Sequence, residues 1–245
     1  SGVLIEVNCE TDFVAKNDDF INELWVMKTD GSDKRFFAKG ENPKWSPNSL
    51  KIAYVKSDDN DTSQIYIKYL NNETESKITN HEKGIKDFAW SNDGKFFSFS
   101  SFNEYESDWK IEIPGKEEGV DYSWTSDPNV VTSMHWKSDG EGEHESGENH
   151  LYLVDSDGGP AVKISDWGND YVSDLQWIDN ANILFTGNSS LNDLEPSWQQ
   201  TAIFVLNTKN KELSKISPET GVFTSPKVSK DGKKKVIIIL ILNNT

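Results

Sequence analysis

Apolar and polar residues alternate along this chain in short runs separated by clusters of Asn, Asp, Ser and Gly, the period-2 pattern of half-buried strands. An aromatic-aliphatic run recurs as ELWVM (Glu23 to Met27), QIYIKY (Gln64 to Tyr69), DWKIEI (Asp108 to Ile113), HLYLV (His150 to Val154) and AIFVL (Ala202 to Leu206), with starts 41, 44, 42 and 52 residues apart. A second marker, a Trp or its apolar equivalent followed by a polar turn, recurs at Trp45, Trp90, Trp136, Trp177 and Val228, at spacings of 45, 46, 41 and 51. Two markers holding one phase at a period of about 40 to 45 residues predict the four-stranded blades of a β-propeller. The expected fold is all-β, about five four-stranded blades over blocks 23–63, 64–107, 108–149, 150–200 and 201–242, with an incomplete ring as one outcome.

Each unit has the chemistry of a hairpin. In IYIKYLNNETESKIT the strand Ile65 to Tyr69 reverses at Asn71-Asn72 and returns from Lys77. Asp30-Gly31-Ser32 and Asp157-Gly158-Gly159 hold the same turn position in their own units, where glycine supplies a positive φ. Trp45, Trp90 and Trp177 follow the repeat and are assigned to packing between blades; Trp124, Trp167 and Trp198 fall outside it and are the candidates for pocket walls. The run Val236 to Leu242 is too short for a membrane helix, which needs about 20 residues, and reads as a strand.

Forty-one acidic against 25 basic residues in 245 give a formal charge of -16. That balance repels nucleic-acid phosphates and anionic lipid surfaces, so neither nucleic acid nor membrane is an expected partner. The carboxylates fall in every predicted loop and read as a solvated surface. One cysteine, Cys9, rules out an internal disulfide framework and fits a reducing compartment. No basic segment followed by an apolar stretch opens the chain, and the expected location is cytoplasmic. His144 and His150 flank HESGENH at a spacing that matches no zincin pattern, and Asp58-Asp59-Asn60-Asp61 lacks the glycine and terminal Glu of a calcium loop; no metal or cofactor is expected.

WSPNSLKIAYV, from Trp45, resembles the blade signature of TolB-like propellers and of the propellers of prolyl-oligopeptidase-family serine peptidases. The stretch from Met134 to Asn188, with Asp139-Gly140-Glu141-Gly142 ahead of His150-Leu151-Tyr152 and a Gly-Gly turn, resembles the acylaminoacyl-peptidase and dipeptidyl-peptidase branch. That resemblance implies a non-catalytic propeller that caps an α/β-hydrolase domain, gates access to it and takes peptide or protein ligands at its mouth. A nucleophile elbow needs Gly-x-Ser-x-Gly, and no serine of this sequence has glycines two residues away on both sides. No catalytic residue is assigned. A ligand-binding or protein-binding scaffold of the TolB type is the alternative.

GVLIEVNCETDFVAKNDDF, Gly2 to Phe20, is similar to the signature of elongation factor Ts, the nucleotide-exchange factor of elongation factor Tu. The resemblance implies a partner-binding role for Thr11, Asp12, Phe13 and Val14. From the residues themselves, the segment reads as a strand over Val3 to Val7 and a short helix capped by Thr11 and running to Phe20. It abuts the repeat region without a Gly, Pro or Ser linker, which makes the chain either a genuine fusion or a chimeric reading frame.

Overall fold

The computed structural model describes residues 2–8, 22–104, 119, 137–138, 142–143, 147–168, 171–188, 201–218, 221–229 and 235–240. Among them every regular element is a strand. The first sheet holds β1 (Gly2–Asn8), β2 (Asn22–Lys28) and β3 (Arg35–Lys39) in that order. The second holds β4 (Glu41–Trp45), β5 (Lys51–Ser57), β6 (Ser63–Tyr69) and β7 (Glu75–Lys77). The third is made of β8 (Asp87–Trp90), β9 (Phe96–Glu104), β12 (Gly147–Asp155) and β13 (Val162–Lys163); the small hairpin of β10 (Lys137–Ser138) and β11 (Gly142–Glu143) lies in the connection between β9 and β12. The fourth comprises β14 (Val172–Trp177), β15 (Asn182–Asn188), β16 (Thr201–Asn207) and β17 (Leu213–Lys215), and the last β18 (Val222–Val228) and β19 (Lys235–Leu240). All pairings between neighbouring strands are antiparallel.

The architecture is the expected all-β propeller of stacked blades, and among the described residues three of its five stacked sheets have four strands. The sheets also divide the chain at other points than the sequence blocks. Each complete sheet opens on the strand that ends at Trp45, Trp90 or Trp177 and places the aromatic-aliphatic run third. Residues 105–146, which hold most of the block 108–149, connect two strands that pair directly, Gly147 opposite Glu104 through Asp155 opposite Phe96. DWKIEI and Trp136 lie outside the described residues.

The cores sit between sheets. Leu24, Val26 and Phe37 of the first sheet meet Ile52 and Tyr54 of the second. Ala53, Val55, Ile65 and Ile67 meet Phe88, Phe97, Phe99 and Tyr152 of the third. Leu151 meets Ile183, Phe185 and Phe204 of the fourth, and Leu184 and Ile203 meet Phe223 of the last. Successive residues of a strand point to opposite faces, so β5 sends Ile52 and Tyr54 one way and Ala53 and Val55 the other. That is why its sequence, KIAYVKS, is apolar almost throughout instead of alternating.

The repeat tryptophans do what their phase predicts. Trp90 is buried and its indole N–H donates to the Lys44 carbonyl of the preceding sheet at 3.2 Å. Trp177 is buried in the same way and donates to Ser98 Oγ at 3.0 Å. Three residues before each tryptophan stands a polar side chain that clasps its neighbour. Asn42 Nδ2 donates to Asp87 Oδ1 at 3.0 Å, and Asp87 Oδ2 accepts the Leu175 N–H of the next sheet at 2.9 Å. Asp174 Oδ2 accepts the Ser225 N–H at 3.1 Å in turn. Lys44 reinforces the first clasp, its ammonium 2.8 Å from Asp87. Asn42, Asp174 and Ser225 adopt positive φ at bulges of β4, β14 and β18, which turns each backbone toward its neighbour.

Candidate binding surfaces

Every sheet has two ends, and they differ. First-to-second and third-to-fourth strand connections, at the turn end, run four to six residues. Second-to-third connections, at the opposite end, run 13 residues over 9–21, five over 58–62, 42 over 105–146 and 12 over 189–200. Charge follows length. Those four connections hold twenty carboxylates against four lysines, whereas the turn end holds eight carboxylates against seven lysines. The sequence reading of carboxylates spread through every loop is therefore sharpened: counted along the chain, the acidic excess falls mainly in the second-to-third connections.

The described part of that end is ordered by its own carboxylates. Asp58 accepts the N–H groups of Asn60 and Thr62 and pairs with the Lys77 ammonium at 2.5 Å. The Lys77 hydrogen bond holds the Asp58 carboxyl below its ordinary range. Between the second and third sheets, a cleft of about 530 Å³ is lined by Asn80, His81, Lys83, Asn103 and Pro160. Gln64, almost fully buried, clamps its wall: it accepts from Thr79 Oγ1 at 2.7 Å and from the His81 N–H at 3.0 Å, and donates to the His81 carbonyl at 2.8 Å. The His81 ring lies 4.6 Å from that of Tyr152 and 5.3 Å from that of Phe99, and burial pushes its pKa down.

A second cleft, of about 650 Å³, opens at the turn end between the first and second sheets. Trp45 and Leu70 form its apolar wall, and Lys28, Arg35 and Ser49 its polar one. Sequence reasoning passed over both clefts, because each joins residues of two sheets that no motif links.

The remaining candidates fall as follows. Trp167 is a seam residue, not a pocket wall: its ring stacks on Phe185 at 5.4 Å with an interplanar angle of 8°. Its carbonyl meets Nδ1 of His150 at 2.8 Å, and Ser165 Oγ lies 3.1 Å from the same nitrogen, so buried His150 serves packing as the repeat implied. Trp124, Trp198, His144 and the segment Thr11, Asp12, Phe13 and Val14 lie outside the described residues, as does the short helix expected after Thr11. The strand before it is present. β1 pairs with β2 from Gly2 opposite Lys28 to Asn8 opposite Asn22, in the place that β5 takes beside β6. Among the described residues, no three His, Cys, Asp or Glu side chains gather in a metal-binding group.

Sheets stacked face to face in chain order, with a core in every seam, define the chain as a β-propeller. No protein-family model matches it. It is 24% identical over 183 residues, 73% of its length, to the uncharacterized peptidase YuxL of Bacillus subtilis, of which it spans 27%. Twenty-one residues are 90% identical to elongation factor Ts of Nitrosomonas eutropha, 9% of this chain and 7% of that factor. Among solved structures, the acylaminoacyl peptidase of Pyrococcus horikoshii matches 91% of the chain at a TM-score of 0.60 and 14% identity, with 31% of that protein covered. TolB of Acinetobacter baumannii matches 91% at a TM-score of 0.60 and 16% identity, with 44% of it covered. The chain thus has the propeller fold of acylaminoacyl peptidases and TolB, and spans less than half of any of these proteins.

Proposed function

We propose that this chain is the non-catalytic propeller module of an acylaminoacyl-peptidase-like serine peptidase, in which it docks peptide substrates and gates their access to a separate α/β-hydrolase domain. The observation that carries the reading is the likeness to a peptidase over 73% of the chain, and a formal charge of -16 is suited to steering cationic peptides. The module supplies no nucleophile. Purified chain is expected to bind a lysine-rich peptide more weakly as salt rises from 50 to about 200 mM, since screening shortens the reach of its carboxylates. A serine-directed fluorophosphonate is expected to leave it unlabelled, and N-acetylalanyl p-nitroanilide to remain intact. Salt-independent binding would remove the docking role, and a labelled serine the non-catalytic one.

The TolB-type reading, a scaffold for a folded protein partner, rests on the equal structural likeness to TolB. It predicts that the chain captures a folded protein and ignores short peptides of either charge. A third reading, exchange activity on elongation factor Tu, rests on the 21-residue match. Here β1 is committed to the first sheet along its whole length. Release of labelled GDP from elongation factor Tu is therefore expected to run at the same rate with and without the chain; acceleration would restore the exchange reading.

A further inference from the structure

The cleft at the turn end carries a chemistry that the docking reading does not use. Trp90 and Trp177 each spend the indole N–H on the preceding sheet. Trp45, at the same place in the repeat, makes no such bond to the first sheet and is half-buried on the cluster of Leu24, Val26 and Phe37. Trp45 lines the cleft with Leu70, Arg35, Lys28 and Ser49.

Arg35 is the chain's single arginine. One of its terminal nitrogens donates to Glu73 at 2.6 Å and the other to the Leu70 carbonyl at 3.4 Å. A guanidinium has five N–H donors, so three remain after those bonds. Lys28 is held only loosely, 3.7 Å from Asp33, and both side chains are 61% exposed. The lining therefore offers guanidinium and ammonium donors and a hydroxyl around an apolar wall, with Asp33 as its carboxylate. The volume, about 650 Å³, lies within the range of small-molecule sites. The location also favours an anion: the turn-end connections hold eight carboxylates against seven lysines, and the strand ends from which the acidic connections depart lie a strand length away. A seven-residue strand spans about 20 Å, beyond the screening length of about 8 Å at physiological salt.

We propose that this cleft is a subsite for the free C-terminus of a short peptide whose last side chain is apolar. The side chain lies against Trp45 and Leu70, and the terminal carboxylate is held between Arg35 and Lys28. The subsite goes beyond the docking reading, and none of its lining residues belongs to the acidic second-to-third connections.

The test is a titration of the chain with fluorescein-labelled Ala-Ala-Ala-Leu as the free acid and as its C-terminal amide, followed by anisotropy. The free acid is expected to bind saturably, and the amide about tenfold or more weakly, the worth of one charge-assisted hydrogen-bonded pair. Lys28→Gln, at an exposed position, is expected to narrow the difference between acid and amide while leaving the urea midpoint unchanged. Arg35→Gln also loses the Glu73 bond, so its midpoint is recorded alongside its affinity. Equal binding of acid and amide overturns the proposal, as does an absence of saturable binding or an acid-to-amide ratio that Lys28→Gln leaves intact. Failure of the docking reading would show in the lysine-rich peptide and leave this ratio untouched.

Discussion

Asp87→Ala is expected to destabilise the protein by about 3–5 kcal/mol, as measured by the midpoint of urea unfolding, the cost of breaking a largely buried ion pair from one side. Asp87 accepts from Asn42, Lys44 and the backbone N–H groups of Phe88 and Leu175, and so ties the second, third and fourth sheets at one point. Its removal strands the Lys44 ammonium, whose side chain is 28% exposed, and leaves the Leu175 N–H without its acceptor. An apolar replacement of both partners, Lys44→Met with Asp87→Leu, is expected to recover much of the loss, because no charge is then stranded. A double variant as damaged as Asp87→Ala would show that the clasp is not what holds this seam. The pH dependence has a definite sign. Burial pushes the Asp87 carboxyl up, but the Lys44 charge and the hydrogen bonds from Lys44, Leu175 and Asn42 outweigh it and hold the carboxyl below 3.8. A carboxyl lowered by folding stabilises the protein above its unfolded value and loses that contribution as pH falls through the folded one. The acid-side loss of stability below about pH 4 is therefore expected to be shallower in Asp87→Asn.

The second large effect is expected at the third-to-fourth seam. Trp177→Ala should cost about 3–5 kcal/mol, the usual price of emptying a large aromatic site. Trp177 is 6% exposed and packs in the cluster of Ile183, Phe185 and Leu206 while its N–H engages Ser98. Trp177→Phe keeps most of the volume but strands the Ser98 hydroxyl, and should cost about 1–2 kcal/mol. Trp45→Ala offers the internal control. Its half-buried ring borders a cleft that is already open, so a loss of about 1–2 kcal/mol is expected. Equal losses at Trp45 and Trp177 by urea unfolding would mean that the two positions are equivalent despite their different surroundings.

The repeat was legible because it is local. An apolar strand, an Asn-Asn or Asp-Gly reversal and a returning strand lie within about 15 residues, and β6 and β7 form the hairpin read from IYIKYLNNETESKIT, although the returning strand is Glu75–Lys77 and ends at the residue from which the sequence reading started it. Gly31 and Gly158 take the positive φ that their turns demand. What was not legible is which strands share a sheet, since hydrogen bonding across a long connection leaves no periodic trace. Asp108 to Ile113 and Trp136 carry the composition of a blade at the spacing of a blade, yet they fall in a connection between two strands that pair with each other. The clasp at Asn42, Asp87 and Asp174 is also hidden, because three different residue types fill one role. Its signal was present nonetheless: each stands three residues before a repeat tryptophan. The two clefts were out of reach for the same reason as the sheet partners. Each joins a turn of one sheet to a strand of the next, as Ser49 and Leu70 meet Lys28 and Arg35.

Because the apolar clusters fill the seams between successive sheets, the molecule behaves as a stack whose members answer only to their immediate neighbours. The closure entropy that a longer connection adds grows only with the logarithm of its length. A 42-residue excursion between β9 and β12 can therefore be tolerated while those strands remain paired over nine positions. The tryptophans and clasps are each held by a neighbouring sheet, whereas a change in the length of a second-to-third connection carries only that small entropic cost.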